Sequence, residues 1–284
     1  MDSCQNEIIM SVARKISTIV PDCCGVTLGG SRALSLEDEQ SDVEMYFYTN
    51  LECPSLEKIN QCMDALGATH KRSESFLWNE EPWGPHSFFV ISDLYFEIGY
   101  RKISETNQRI TAYLNGLVEP QKDCHDLGLG YMLSGLAASV IHEKELLLCG
   151  SEIEKLKTHA KSFPATLFEQ LRREYYETAR SLYDGKLRYA AMRGDVFSFY
   201  SISSRIIRAL LVMAFALSGE HFPGDKWNEQ LLAETSWHNK NEFLDELKRS
   251  FQVNDISACG LIERWTLIGK ALLLIEMDMR DYNG

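Results

Sequence analysis

The chain has 284 residues, 29 Lys plus Arg against 41 Asp plus Glu, and a formal net charge of −12. With 45% hydrophobic and 11% aromatic residues it can fill one large core or two ordinary ones, which excludes intrinsic disorder and collagen-like order. Affinity for long DNA or RNA comes mainly from Lys and Arg neutralising phosphates, so this acidity argues against stable nucleic-acid binding and leaves a cationic small molecule as the easier partner.

The N-terminus opens with an amphipathic helix from Asp2 to Val20, its apolar residues Ile8, Ile9, Val12, Ala13, Ile16 and Ile19 recurring at helical spacing until Pro21. A strand follows at Cys24 to Leu28, then a turn-rich stretch from Gly29 to Ser41, then an alternating strand at Val43 to Tyr48. Pro54 and Ser55 start a second helix that Gly67 stops, and a hairpin is expected with strands Ser87 to Ile91 and Leu94 to Tyr100. Beyond Lys102 helical patterns take over, at Ile110 to Leu117, Leu127 to Glu145, Phe168 to Met192, Phe197 to Leu217, Trp227 to Ala233, Asn241 to Phe251 and Ile256 to Met279. The expected class is therefore α+β, with a mixed-sheet domain over 1–102 and an all-α helical domain over 103–284.

The longest apolar run, Ala209 to Leu217, falls short of the roughly 20 residues that cross a bilayer, and no basic region precedes an apolar stretch at the N-terminus. Cys4, Cys23, Cys24, Cys53, Cys62, Cys124, Cys149 and Cys259 are scattered without a Cys-x-x-Cys pair. These features predict a cytoplasmic protein with reduced thiols, no membrane span and no structural zinc. His70, His86, His125 and His142 fit no triad or metal spacing.

The chemistry concentrates in two short stretches. Gly29 and Gly30 directly after a strand permit a sharp turn and close approach to a ligand, where the Ser31 hydroxyl, the Ser31 and Arg32 amides and the Arg32 guanidinium can face phosphate oxygens. Taken alone, such a turn is more often a plain turn. Asp42 and Glu44 sit one residue apart at a strand, so their carboxylates share a face; a divalent cation would remove their repulsion, and Mg²⁺ suits this hard-oxygen pair. A bare Asp-x-Glu pair is more often just a solvated acidic face. On the strand Leu94 to Tyr100, Glu97 points away from Leu94, Phe96 and Ile98, and pairing of the two strands would bring all three acids into one cluster.

Gly30-Ser31, ten further residues, and then Asp42-Val43-Glu44-Met45, with Glu97 later, is similar to the nucleotidyltransferase superfamily that includes DNA polymerase beta. The wording Gly-Gly-Ser-Arg-Ala with Ser-Asp-Val-Glu ahead of a helical half most resembles bacterial aminoglycoside and lincosamide nucleotidyltransferases. Ser162-Phe163-Pro164, Arg193-Gly194-Asp195 and Phe222-Pro223-Gly224-Asp225-Lys226-Trp227 resemble those relatives more loosely. Glu44 departs from the more usual Asp, a longer side chain that can shift the metal.

The resemblance implies transfer of a nucleoside monophosphate, AMP from ATP first, onto a hydroxyl of a small molecule. It assigns the β and γ phosphates to Gly30, Ser31 and Arg32, and two Mg²⁺ ions to Asp42 and Glu44. Glu97 then either completes the second metal site or accepts the hydroxyl proton as general base. Lys226 is a candidate for a further phosphate contact, against the commoner reading of a solvated lysine beside a turn; Arg193, Asp195, Arg205 and Arg208 are cleft candidates against the commoner reading of surface ion pairs. The charge of −12 favours an aminoglycoside acceptor over a lincosamide. Two other functions share the residues: protein-directed transfer of the toxin-antitoxin type, and a non-catalytic nucleotide-binding regulatory module. The acceptor hydroxyl, the preferred base and the oligomeric state are not readable from one sequence.

Overall fold

A computed structural model describes residues 3–72, 84–117, 133–224 and 226–281. Cys124, His125, Asp225 and the first part of the helix expected from Leu127 lie outside the described residues. The chain divides into two compact units, one of Met1–Ala112 with Leu136–Ser162 and one of Tyr113–Gly135 with Phe163–Gly284. The expected α+β arrangement is present: a mixed sheet with flanking helices, then a helical region. The sheet unit is larger than 1–102, because a stretch far along the chain returns to it.

That unit runs α1 (Ser3–Ser17), β1 (Cys23–Leu28), α2 (Gly30–Leu34), β2 (Val43–Thr49), α3 (Leu56–Ala65), β3 (Thr69–Arg72), β4 (His86–Ile91), β5 (Leu94–Lys102) and α4 (Ile103–Leu114). It resumes with α5 (Leu133–His142), β6 (Lys144–Leu147) and α6 (Ser151–Ala160). The six strands lie in the order β3-β4-β5-β2-β1-β6. β2 and β5 are parallel and every other pair is antiparallel. At the β4–β5 hairpin Ser92 and Asp93 both have positive φ, 49° and 65°, the primed turn that matches strand twist.

Alternation along the central strands gives the sheet two different faces. Val26, Leu28, Val43, Met45, Phe47, Phe96, Ile98 and Tyr100 form one apolar core with Ile9, Val12, Ala13 and Ile16 of α1 and Ile59 and Met63 of α3. The opposite face carries Thr27, Glu44, Tyr46, Tyr48, Glu97, Gly99 and Arg101. In β2 every residue but Glu44 is buried, so this strand is covered on both sides.

The second unit holds a helical run from Ala165 to Arg193, in which α7 (Ala165–Leu171), α8 (Glu177–Leu182) and α9 (Arg188–Arg193) are joined by π-helical turns at Arg172–Tyr176 and Tyr183–Leu187. α10 (Val196–Leu217), α11 (Asn228–Glu234), α12 (Lys240–Gln252) and α13 (Ala258–Asp281) follow. The triplet Arg193-Gly194-Asp195 is helix punctuation. Gly194, at φ 68°, ends α9, and the Asp195 carboxylate accepts from the Ser198 N–H at 3.1 Å to cap α10. α10 corrects one expectation: at 22 residues and a mean hydropathy of 1.5 in its best window, it is long and apolar enough to cross a membrane. Half of that window is buried, with Phe199, Ile206, Leu210, Met213 and Phe215 turned inward, as in the core helix of a folded unit.

Candidate active site

The turn after β1 closes directly onto β2. The Gly29 N–H donates to the Glu44 carbonyl at 2.8 Å. Gly30 then adopts φ +57°, and a Cβ there would overlap the Glu44 carboxylate. Glycine at 30 is thus required twice, by backbone handedness and by space for an acid. Ser31 is 8% exposed, and its hydroxyl makes no hydrogen bond among the described residues. Arg32 departs from the expectation of a guanidinium facing phosphate. It is buried, and its Nε and Nη2 donate to the carbonyls of Asp42 at 2.8 Å and Ser41 at 2.9 Å. Its charge holds the loop that delivers Asp42.

Glu44 and Glu97 are register partners on the parallel strands β2 and β5, so they stand side by side on the same sheet face. Both are half-buried, as is Asp42, which lies two residues before Glu44 and just outside β2. Among the described residues no group of three or more His, Cys, Asp or Glu side chains is close enough to hold a metal ion. The convergence of all three acids is therefore incomplete: Glu44 and Glu97 adjoin, while Asp42 is held by its backbone at the strand's entrance. A pair of adjacent carboxylates is nonetheless the hard-oxygen set that Mg²⁺ uses, with water and substrate phosphate filling its remaining positions. The donor chemistry fits that ion.

Behind the pair lies a buried polar network that sequence reasoning missed. The Tyr46 hydroxyl donates to Glu44 Oε2 at 3.2 Å. Its ring sits where Cβ atoms on Gly29 or Gly99 would intrude, and the Arg101 guanidinium stacks 3.6 Å from its centroid. Arg101 forms an ion pair with Glu143 in which both side chains are 1% exposed. Glu143 also accepts from Thr27 and Tyr48 hydroxyls, each at 2.7 Å, and from Ser139 at 3.0 Å. Burial works against the Arg101 charge, but Glu143, Tyr48 and Tyr46 outweigh it and raise the pKa further above its already high value. Burial and then the negative Glu44 push the Tyr46 phenol well up, so it remains a donor.

His86 packs beside this network, its Nδ1–H donating to the Gly84 carbonyl at 2.8 Å and its Nε2 lying 3.7 Å from Glu97 Oε1. Glu97 at that distance would favour the protonated ring. Burial, aided by Arg101 and opposed by the Gly84 carbonyl, prevails and lowers the pKa to about 4, leaving the imidazole neutral near pH 7. The missed signals were faint. Arg101 continues the Glu97, Gly99 alternation on β5, whereas nothing in the sequence ties Glu143 to it.

Asp42, Glu44, Glu97, Gly30, Ser31 and Arg32 all belong to the sheet unit, whereas Lys226 belongs to the helical one, exposed just before α11. No family model and no curated protein matches the sequence. Among solved structures, the chain is similar to a nucleotidyltransferase-like protein from Exiguobacterium sibiricum 255-15. That similarity covers 97% of this chain and 81% of the other, at 10% identity and a TM-score of 0.43.

Proposed function

We propose that the Glu44–Glu97 face of the sheet is the active site of a Mg²⁺-dependent nucleotidyltransferase, moving a nucleoside monophosphate from a triphosphate, ATP first, onto a small-molecule hydroxyl. The observation that carries this reading is the pairing of Glu44 with Glu97 across β2 and β5 beside the Gly29-Gly30 turn, whose missing side chains leave room for the Tyr46 ring and the Glu44 carboxylate. Mg²⁺ held at Glu44, beside Glu97, would neutralise triphosphate charge and favour attack at the α-phosphorus. The chain's own residues supply the rest. Ser31 offers its hydroxyl and the turn its amides to phosphate oxygens, while Arg32 fixes the loop carrying Asp42. Glu97 either completes that metal site or accepts the proton of the attacking hydroxyl as the new O–P bond forms and pyrophosphate leaves. An acidic chain of net charge −12 favours a polycationic acceptor, so an aminoglycoside ranks ahead of a lincosamide.

The test is incubation with α-labelled ATP or GTP, Mg²⁺ and a panel of antibiotic acceptors. Label is expected on an aminoglycoside or lincosamide, and Glu97→Gln is expected to lose transfer at least about a hundredfold with an unchanged melting temperature. Label on protein would indicate a protein-directed enzyme. Nucleotide binding without any label would indicate a regulatory module. Full transfer by Glu44→Gln would remove this face from the reaction.

A further inference from the structure

Glutamate carries its carboxylate on one more rotatable bond than aspartate does, so an acid of this length at a metal site needs something besides the strand to aim it. Around Glu44 two features meet that need. Gly30, by lacking a Cβ, leaves the space the carboxylate occupies. Tyr46, two residues on along β2 and on the same face, donates its hydroxyl to Glu44 Oε2 at 3.2 Å. The donor is itself immobilised, because its ring is seated against Gly29 and Gly99 and covered by the Arg101 guanidinium 3.6 Å from its centroid. Arg101 in turn is fixed by Glu143, by the Tyr48 hydroxyl at 2.9 Å and by Ser139 at 3.2 Å. A chain of defined contacts therefore runs from the α5 end of the unit to one oxygen of one carboxylate.

We propose that Tyr46 is a positioning residue that aims the Glu44 carboxylate toward a divalent cation, and that Arg101 and Glu143 lock Tyr46 in that role. This rests on the reading of Glu44 as a metal ligand. Hydrogen-bond partners of ligating carboxylates commonly contribute tenfold or more to metal affinity. The device also accounts for a glutamate where a shorter acid is more usual: the hydroxyl is placed to meet Oε2 at glutamate's reach.

Tyr46→Phe keeps the ring, its seat on the glycines and its stack on Arg101, and removes only the donor. Tyr100→Phe is the matched control, a hydroxyl deleted from the apolar face of the neighbouring strand β5. Binding of Mn²⁺ alone to the full chain, followed by the loss of the free-ion paramagnetic resonance signal, is expected to weaken about tenfold in Tyr46→Phe and to stay unchanged in Tyr100→Phe. Glu44→Asp should bind more weakly as well, and adding Tyr46→Phe to it should cause little further loss, since the shorter acid no longer reaches the hydroxyl. Wild-type Mn²⁺ affinity in Tyr46→Phe, or an equal loss in Tyr100→Phe, would overturn the positioning role and leave the metal reading standing. Absence of saturable Mn²⁺ binding by the wild-type chain would overturn both.

Discussion

Arg32 shows how a charged side chain beside a glycine turn can serve the fold. Its guanidinium donates to two carbonyls of the loop before β2, at 2.8 and 2.9 Å, from a position only 5% exposed. Replacing it with Met leaves both carbonyls without their charged donor, at about 1.5 to 3 kcal/mol for each such bond. Urea denaturation of Arg32→Met is therefore expected to show a loss of about 3 kcal/mol or more. A phosphate ligand would behave otherwise, raising the KM for nucleotide at constant stability. Gly30 makes the complementary case. Gly30→Ala forces a Cβ into a φ of +57°, at a cost of about 1 to 2 kcal/mol, and into the space of the Glu44 carboxylate. Since misplacing a reacting group by about 1 Å can cost a hundredfold in rate, labelled-nucleotide transfer by Gly30→Ala is expected to fall by at least that factor. Near-normal transfer would show that Glu44 tolerates displacement and has no part in the chemistry.

Between elements, the Arg101–Glu143 pair joins β5 to the end of α5, and Thr27 and Tyr48 bring β1 and β2 into the same contact. Removing one member of a buried pair strands the other charge, which costs about 3 to 5 kcal/mol. Glu143→Gln is expected to lose about that much on chemical denaturation, and Arg101→Met with Glu143→Leu to lose less than Glu143→Gln alone. A double variant weaker than the single one would mean that packing of the guanidinium stem, and not its charge, holds the joint. This joint also marks the limit of what the sequence discloses. β2 and β5 are legible because apolar residues alternate along them, and β1 and β4 because short apolar runs end at the Gly29-Gly30 turn and at Ser92-Asp93. β3 and β6 are four-residue strands, Thr-His-Lys-Arg and Lys-Glu-Leu-Leu, too short to show a period. α2 hides in an expected loop because five residues cannot show a helical face. Asp42, Glu44 and Glu97 stand out as acids against an apolar strand pattern. Glu143 does not, because a charged side chain whose counter-charge lies 42 residues away leaves no local trace.

On the scale of the whole molecule, the sheet unit is discontinuous in sequence. A boundary at Lys102, where strand texture gives way to helical periodicity, separates the sheet from Leu136–Ser162, which returns to it. The returning stretch supplies two things that the first 102 residues lack. β6 pairs with β1 through Val26, Thr27 and Leu28, and without it β1 becomes an open edge of unpaired backbone groups. Glu143 balances Arg101, and without it the buried guanidinium loses the carboxylate with which it pairs. Either loss is large against the roughly 5 to 15 kcal/mol by which domains are usually stable. A fragment of residues 1–102 is therefore expected to lack a cooperative thermal transition by circular dichroism, while a fragment of residues 1–162 melts cooperatively. Glu143→Gln in the longer fragment should lower that transition, which separates the counter-charge from the edge pairing. Cooperative melting of residues 1–102 alone would show that the apolar core beneath α1 and α3 is sufficient, and that β6 and Glu143 are additions to a fold already complete.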